Sequence, residues 1–420
     1  MNPPAKSTSF NKIVSLATFC LFLSVSLVPL NFLPFKIAGV PFHYFYVGGI
    51  VLLLIAFSFC LESKITRFDK WLILLIAGFS LSLISSIDVD FSIQAIISFI
   101  LRGFGIAFVT ERMLASKTTS AKLLLICASI VSVISLIEYF FRFNPYFGWT
   151  DLPDYFIINY PVITRNGMAG TIGHPLALSA YLIMFLPLSI WYIRGNNLIL
   201  KFLPLILILS AIFLSFSRSS WIIAALMLAT YVIFRKKNTK FGNKRKIILL
   251  FLILIMAIFG IFRLKNYYPE RTNIGNFLKE FYQSHRSASY TTTLNILKKY
   301  PFFGVGLGNY PAIHEQYRAT GTKPELKTPD NMYLRFLCET GIAGTSVFLI
   351  FIFYWFLQFW KHRDSDFVFA LSSGLAGFLL NQLVADLFYW LAPQFTFWML
   401  LGIAVSNINN NSNKNNQIQH

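Results

Sequence analysis

Arg218, Arg286 and Asp330 are the residues whose types point most directly to chemistry in this chain. A guanidinium presents a planar fork of donors that suits a phosphate group, and a carboxylate held nearby can act as a general base. Arg218 stands in Ser217–Ser220 between two apolar runs, and Asp330 comes just before another apolar run. These positions predict an anion-binding site with a base beside it, at the edge of the apolar segments.

Further candidates, and one structural alternative, come from the sequence between the first apolar runs and Arg218. Arg165 lies in a polar stretch, where it could bind a phosphate or an acidic sugar, or remain a solvated loop charge. His174 precedes Pro175 and is a candidate for substrate contact, although a lone histidine is more often a helix cap. Arg218 could instead reach the membrane surface or pair with Glu138. The residue types leave these options open.

Asp330 has a structural interpretation as strong as the catalytic one. Thr328 is a good helix cap and Pro329 a good first helical residue, so Asp330 would lie in the first turn and offset the helix dipole. On that helix Asp330 would share a face with Gly341 and Gly344, whose small size allows close helix packing. We therefore expect Asp330 to point into a helix bundle.

Arg286 belongs to a long polar segment, 264–330, that interrupts an otherwise apolar chain. Tyr290, Leu294 and Leu297 recur after it at helical spacing, and a proline follows. The pattern predicts an amphipathic helix that lies on the outer face of the bundle and begins near Arg286. The segment is longer than a simple connection between membrane helices requires.

Three alternate glycines follow this helix, namely Gly304, Gly306 and Gly308. Their backbone amides could approach phosphate oxygens, which makes Gly306 a candidate for substrate binding. They lack the strand-turn-helix context and the Gly-Lys-Ser/Thr sequence of known phosphate loops. Spacing by itself favours a plain interfacial turn.

Composition predicts the elements that must carry these residues. The chain is 56% hydrophobic and only 13% charged, whereas soluble domains are nearer a quarter charged. Apolar runs long enough to cross a membrane predict an all-α polytopic membrane protein of about twelve helices. The predicted spans are 12–33, 42–61, 71–87, 91–110, 122–140, 174–193, 198–216, 219–234, 246–263, 332–358, 366–387 and 393–408.

Lysine and arginine placement predicts the orientation of these spans. Basic residues alternate with poorly charged connections, so the positive-inside rule puts both termini in the cytoplasm and the large loop 264–330, before helix ten, outside. The net charge of +19 is explained by these cytoplasmic loops without a nucleic-acid partner. Arg102 lies deep in its span and is expected to form a structural pair or reach the surface. The polytopic domain is expected to cover 1–408, and the asparagine-rich tail 409–420 to be disordered.

Cysteine usage predicts neither a disulfide framework nor a metal site. All four cysteines fall in apolar spans, none lies in an outer loop, and no metal-ligand spacing is present.

Asp330-Asn331, followed after nine residues by Gly341 and then Gly344, resembles the signature of bacterial O-antigen ligases and the related O-antigen polymerases. In that family a histidine stands where this chain has Asp330. The order of three further pieces is also similar to the family: Gly170–Ala177, Ser217–Ser219, and Arg286 placed fifteen residues before Pro301. The resemblance covers roughly residues 150–400.

The resemblance implies a membrane glycosyltransferase of the C class that works without a metal or cofactor and inverts the transferred sugar linkage. Its donor would be a glycan on undecaprenyl pyrophosphate, and its acceptor a glycolipid or a second glycan at the outer face of the bacterial plasma membrane. Arg218 and Arg286 would hold the pyrophosphate, and Asp330 would replace the histidine proposed to deprotonate the acceptor. Asn331 enters with this motif as a substrate contact. A lipid-glycan flippase and a glycan transferase to protein are the alternatives.

Overall fold

The computed structural model describes residues 65–112, 117–141, 168–193, 198–234, 285–320 and 327–418, together with the backbone of 36–37 and 40–41. Within these residues the only strands are β1, Lys36–Ile37, and β2, Val40–Pro41, which pair antiparallel. Everything else that is regular is helical. The predicted spans 12–33, 42–61 and 246–263, like Arg165, lie outside the described residues.

Most of the described helices coincide with predicted apolar runs, and α9 and α10 lie in the polar segment 264–330. In chain order they are α1 Arg67–Ser80, α2 Val89–Phe99, α3 Gly105–Glu111, α4 Lys117–Phe141, α5 Pro175–Ile183, α6 Leu186–Tyr192, α7 Leu198–Leu214, α8 Arg218–Phe234, α9 His285–Lys299, α10 Tyr310–Ile313, α11 Met332–Lys361, α12 Asp366–Asn381 and α13 Leu391–Ile418. Short 3₁₀ turns cover Leu81–Ser85, His314–Tyr317 and Leu387–Tyr389, and a π-helical turn, Ile100–Phe104, joins α2 to α3.

Six helical stretches in the described part of the chain are long and apolar enough to cross a membrane. They are Arg67–Ser85, Val89–Glu111, Lys117–Phe141, Pro175–Tyr192, Met332–Lys361 and Leu391–Asn409. Shorter apolar helices cover Lys201–Leu214 and Asp366–Asn381. The protein is therefore a helical, multi-pass membrane protein, and the full count of twelve helices stays a prediction.

Polar contacts fasten the helix ends at one end of the bundle, which we call the Arg112 end. The Arg112 guanidinium makes two hydrogen bonds to the Asp69 carboxylate, of 3.0 and 2.5 Å, and thereby ties α3 to the start of α1. Asn409 donates to Glu111 at 2.7 Å, which adds α13 to the same end. Arg67 donates to the Tyr354 hydroxyl at 3.3 Å, so the last part of α11 also lies here.

The opposite end of the bundle, which we call the Asp330 end, collects the other helix termini. Ser85, after α1, donates to the Gly304 carbonyl at 2.6 Å, and Ser220, in the first turn of α8, donates to Asn381 at the end of α12 at 3.1 Å. Because helices alternate in direction between the two ends, the candidate residues at the starts of α5, α8 and α11 lie at this end.

Helix α11 is broken where the sequence predicts a continuous helix. Gly341 has φ 64° and ψ −171°, and a Cβ there would lie 2.2 Å from the Phe302 carbonyl oxygen. The break frees backbone groups that the preceding turn satisfies, since Ile342 N–H donates to the Pro301 carbonyl and Val305 N–H to the Cys338 carbonyl, both at 2.9 Å. The predicted face that Asp330 shares with Gly341 and Gly344 is therefore wrong.

The structure also describes three other features that the sequence analysis considered: helix α9, Arg102 and the asparagine-rich tail. Helix α9 forms at the predicted position, but Leu294 on its apolar row is 49% exposed, while Thr292, Thr293 and Ile296 are buried. Arg102 lies in the π-helical turn with its side chain exposed among the described residues. Helix α13 continues to Ile418, so it takes in most of the tail for which composition predicts disorder.

Candidate active site

A single connection, residues 381–390 between α12 and α13, receives contacts from three of the candidate residues, namely Arg286, Asn331 and His174. Met332 N–H donates to the carbonyls of Gln382 and Ala385, each at 3.0 Å, which seats the start of α11 against it. Asn331 Nδ2 donates to the Leu383 carbonyl at 3.1 Å. We call residues 381–390 the hub segment.

Arg286 and Asp330 lie next to each other beside the hub segment. The Arg286 Nε is 3.7 Å from Asp330 Oδ2, and its Nη2 donates to the Val384 carbonyl at 3.4 Å. The Arg286 side chain is 43% exposed and the Asp330 side chain 38% exposed. Thr328 Oγ1 donates to Asp330 Oδ1 at 3.1 Å. A partly exposed cation and carboxylate in contact can both meet a ligand from outside the bundle.

The expected start of α11 is wrong by three residues. Asn331, not Thr328, is the N-cap, because its side-chain oxygen accepts from Leu334 N–H at 3.1 Å and the helix begins at Met332. Asp330 lies before the cap with φ 48°, in the left-handed region that aspartate tolerates better than most residues. Its carboxylate is therefore carried by a turn and does not sit in the first helical turn.

Arg218 begins α8 with an exposed side chain, and a polar network of serines lies beneath it. Ser217 and Ser179 both contact the Ser220 hydroxyl, at 2.8 and 2.7 Å, and Ser220 donates to Asn381 in the hub segment. This network joins α5, α8 and α12 and ties the first turn of α8, which Arg218 begins, to Asn381 in the hub segment.

Glu138, the candidate partner of Arg218, accepts backbone hydrogen bonds. They come from Gly170 N–H at 2.6 Å and from Ala169 N–H at 3.2 Å. In these contacts the Glu138 carboxylate fastens the turn that leads to His174.

His174 is the N-cap of α5, which is the structural role that the sequence favours. Its Nδ1 accepts from Leu176 N–H at 3.2 Å, and its ring centroid is 5.6 Å from that of Trp390 in the hub segment. Burial lowers the pKa of His174 to about 4, although the negative charge of Asp386 opposes that shift. The imidazole at this corner of the site is therefore neutral at ordinary pH.

Gly306 lies in a buried turn whose amides are engaged with α11. Its N–H donates to the Glu339 carbonyl at 3.0 Å, and Gly308 N–H donates to the Glu339 carboxylate at 2.8 Å. A Cβ on Gly306 would lie 2.3 Å from the hydroxyls of Ser86 and Ser92. These contacts are those of a structural turn, which is the alternative that spacing favours over a phosphate loop.

Sequence analysis missed a buried ionic network between the first part of α11 and the hub segment. Arg335 pairs with Glu339 at 2.9 Å and with Asp386 at 2.5 Å, and its guanidinium lies 3.4 Å above the Tyr389 ring. The Tyr389 hydroxyl donates to Glu339, and burial raises the pKa of Tyr389 well above its ordinary value. Arg335, Glu339 and Asp386 all lie within predicted apolar spans, so the cost of buried charge could have identified them.

No cluster of histidine, cysteine, aspartate and glutamate side chains suited to a metal ion occurs among the residues that the structure describes.

Comparison with known proteins supplies a family for the region that contains this site. Residues 203–349 match a protein family described as O-antigen ligase. The match includes Arg218, Arg286 and Asp330, so the family resemblance is confirmed for residues 203–349, while for the rest of 150–400, including Gly170–Ala177, it stays a prediction. No curated protein matches the chain. The family supports a glycosyltransferase-like function in the transfer of surface glycans, with a lipid-linked glycan and an acceptor as partners in general terms.

Proposed function

The O-antigen ligase domain at residues 203–349 is the premise from which we propose that this protein transfers a glycan from an undecaprenyl-pyrophosphate carrier to an acceptor at the outer face of the plasma membrane. The acceptor is a lipid-anchored sugar in the ligase reaction and another carrier-linked repeat unit in the polymerase reaction. The observation that carries the proposal is the partly exposed Arg286–Asp330 pair beside the hub segment, inside the matched domain.

Arg286 and Arg218 are the cations proposed to hold the pyrophosphate. Arg286 is supported by its contact with the Val384 carbonyl of the hub segment, and Arg218 by its position at the start of a helix whose Ser220 binds Asn381. A guanidinium fork can bind two phosphate oxygens at once, and fixed positive charge stabilises a leaving group that gains negative charge.

Asp330 is proposed as the general base. The acceptor hydroxyl oxygen attacks the anomeric carbon of the donor sugar while its proton passes to the Asp330 carboxylate. The bond between that carbon and the pyrophosphate oxygen breaks, and its electron pair leaves with the carrier pyrophosphate. A single displacement of this kind inverts the sugar linkage and requires no metal.

Asn331, His174 and Arg165 are proposed to contact the substrate around this centre. Asn331 follows Asp330 and donates to the Leu383 carbonyl of the hub segment. The neutral His174 ring lies near Trp390, the last residue of that segment. Arg165 enters the proposal from its sequence context alone. Gly306 is better explained as part of the structural turn, because its amide already binds the Glu339 carbonyl.

The proposed orientation puts the Asp330 end outside and the Arg112 end in the cytoplasm of a bacterium. The helix ends and the short connection at the Arg112 end carry Arg67, Lys70, Arg112 and Lys117, whereas the short connection at the Asp330 end before α2 carries Asp88. Positive charge in short loops favours the cytoplasmic side. Long loops do not count in this rule.

Reconstituted protein with a carrier-linked glycan and candidate acceptors tests the function. We expect wild-type protein to form the transferred product and Arg286→Ala to lower its rate about 100-fold or more, because an electrostatic contact to the leaving group is lost. Arg318→Ala is the matched control, since Arg318 is an exposed arginine of the same loop that pairs with Glu315 at 3.6 Å.

Equal rates for wild-type protein and Arg286→Ala would contradict the site. Movement of the carrier-linked glycan across a vesicle membrane without any transfer product would support the flippase alternative.

A further inference from the structure

Glu339 is a fully buried carboxylate to which the proposed reaction gives no role. Its two oxygens accept from Arg335 Nε at 2.9 Å, from Gly308 N–H at 2.8 Å, from Tyr310 N–H at 3.3 Å and from the Tyr389 hydroxyl. All these donors are themselves buried or half-buried. One side chain thus joins the turn after α9, helix α11 and the hub segment.

Arg286 is held by its own helix, α9, and by the hub segment, and both are connected to the Glu339 carboxylate. Arg286 is in the first turn of α9, whose end runs through Tyr300 into the turn that donates Gly308 and Tyr310 amides to Glu339. The Val384 carbonyl that Arg286 contacts belongs to the hub segment, which reaches Glu339 through Tyr389. A change at Glu339 would therefore shift the turn after α9 relative to the hub segment. Both segments hold the Arg286 guanidinium.

The charges of the network formed by Arg335, Glu339 and Asp386 favour a role in fixing the positions of the elements over a role in stabilising the fold. Arg335 is one cation between two carboxylates, Glu339 and Asp386, and all three are buried. Well-packed apolar residues often hold a fold as firmly as a buried ion network does. A fully satisfied polar network, however, specifies one arrangement of the elements that it connects.

We propose that Glu339 is a positioning residue for Arg286: it holds the turn after α9 and the hub segment in one fixed register, so that the guanidinium faces the donor pyrophosphate beside Asp330. The expected effect on glycan transfer rests on the proposed function. The coupling between the turn after α9 and the hub segment is independent of that function.

Glu339→Gln tests both parts, because it keeps the size of the side chain and removes its charge. We expect faster amide hydrogen exchange in the peptides that cover 301–313 and 382–390, with no change in α4. We also expect a fall of about 10- to 100-fold in kcat/KM for the donor, the size of effect that a small misplacement of a binding group produces. Glu315→Gln is the matched control, since Glu315 is an exposed acid of the same loop with a side chain 49% exposed.

A double-mutant cycle separates positioning from a general loss of structure. If Glu339 acts through Arg286, then Glu339→Gln should lower kcat/KM by less than about 2-fold once Arg286→Lys is already present, because coupled sites do not add. Full additivity would overturn the proposal. Tyr389→Phe removes one donor to Glu339 and should give a smaller effect in the same direction, which keeps the test available if Glu339→Gln does not fold.

The remaining outcomes are also decisive. Exchange that rises in only one of the two peptides, or in neither, would overturn the coupling. Exchange that rises in both with an unchanged kcat/KM would overturn the positioning role. A wild-type protein that forms no transfer product, together with faster exchange in both peptides of Glu339→Gln, would refute the proposed function and leave the coupling established.

Discussion

Asp330, the proposed base, is held by a turn and does not belong to a helix. Its φ of 48° turns the chain sharply just before the N-cap Asn331, and its carboxylate receives the Thr328 hydroxyl on one oxygen. Aspartate, asparagine and histidine are the non-glycine residues that adopt this backbone most readily. The position can therefore exchange these three residues without rebuilding the turn.

Replacement of Asp330 by asparagine and by histidine tests its role as a base. Asp330→Asn keeps the turn but cannot take a proton, so we expect the transfer rate to fall about 10²- to 10⁴-fold. Asp330→His should retain transfer and acquire a new loss of rate as pH falls through about 6.5, because only neutral imidazole accepts a proton. Initial rates measured across that pH range decide the matter. Wild-type rates in Asp330→Asn would exclude the carboxylate as base.

At the scale of elements, the break in α11 explains why a glycine-rich turn and a membrane helix occur together. Gly341 leaves the helical conformation, and the amides of Ile342 and Ala343 are satisfied by the carbonyls of Pro301 and Phe302 at 2.9 and 3.0 Å. Unsatisfied backbone groups are expensive inside a membrane bundle, so the turn and the break stabilise each other. The motif glycine is a structural requirement here.

Gly341→Ala should destabilise the protein by about 1–3 kcal/mol or more, from the positive φ together with the contact between a Cβ and the Phe302 carbonyl. Ile342→Ala is the neighbouring control, because Ile342 is 49% exposed and surface substitutions usually change stability by about 0.5 kcal/mol or less. Apparent unfolding midpoints in one detergent compare the two variants. A Gly341→Ala midpoint at or above that of Ile342→Ala would contradict the strain argument.

At the scale of the whole molecule, the two polar ends of the bundle differ in how exposed their charged pairs are. The Arg112 end is closed by buried pairs such as Arg112–Asp69, with side chains only 10% and 8% exposed. The Asp330 end carries the partly exposed Arg286–Asp330 pair and the hub segment. The proposed substrate would therefore meet an exposed cation and carboxylate in contact with each other at the Asp330 end.

Cysteine labelling in intact cells tests the orientation of these two ends. We expect a membrane-impermeant maleimide to label Thr291→Cys on α9 and to leave Asp364→Cys, after α11, unlabelled until the cells are opened, because both positions are exposed but lie at opposite ends. Unsubstituted protein gives the background from the native cysteines. Labelling of Asp364→Cys alone in intact cells would invert the proposed topology and remove the site from the outer face.

The sequence by itself determined the membrane class, the approximate positions of the described apolar helices and the order of Arg218, Arg286 and Asp330 along the chain. Composition and helical periodicity are local properties, so they can be recognised without knowing what packs against what. The family motif also depends only on spacing. These local patterns led to the region that matches the O-antigen ligase family.

Only the tertiary structure decided which of these groups meet. Arg286 contacts Val384 across 98 residues of sequence, and Arg335 pairs with Asp386 across 51. It also decided that Gly341 breaks its helix and that Asn331, not Thr328, caps it. The physical reason is common to all of these: each depends on which distant backbone or charge is available to satisfy a buried polar group, and no local pattern carries that information.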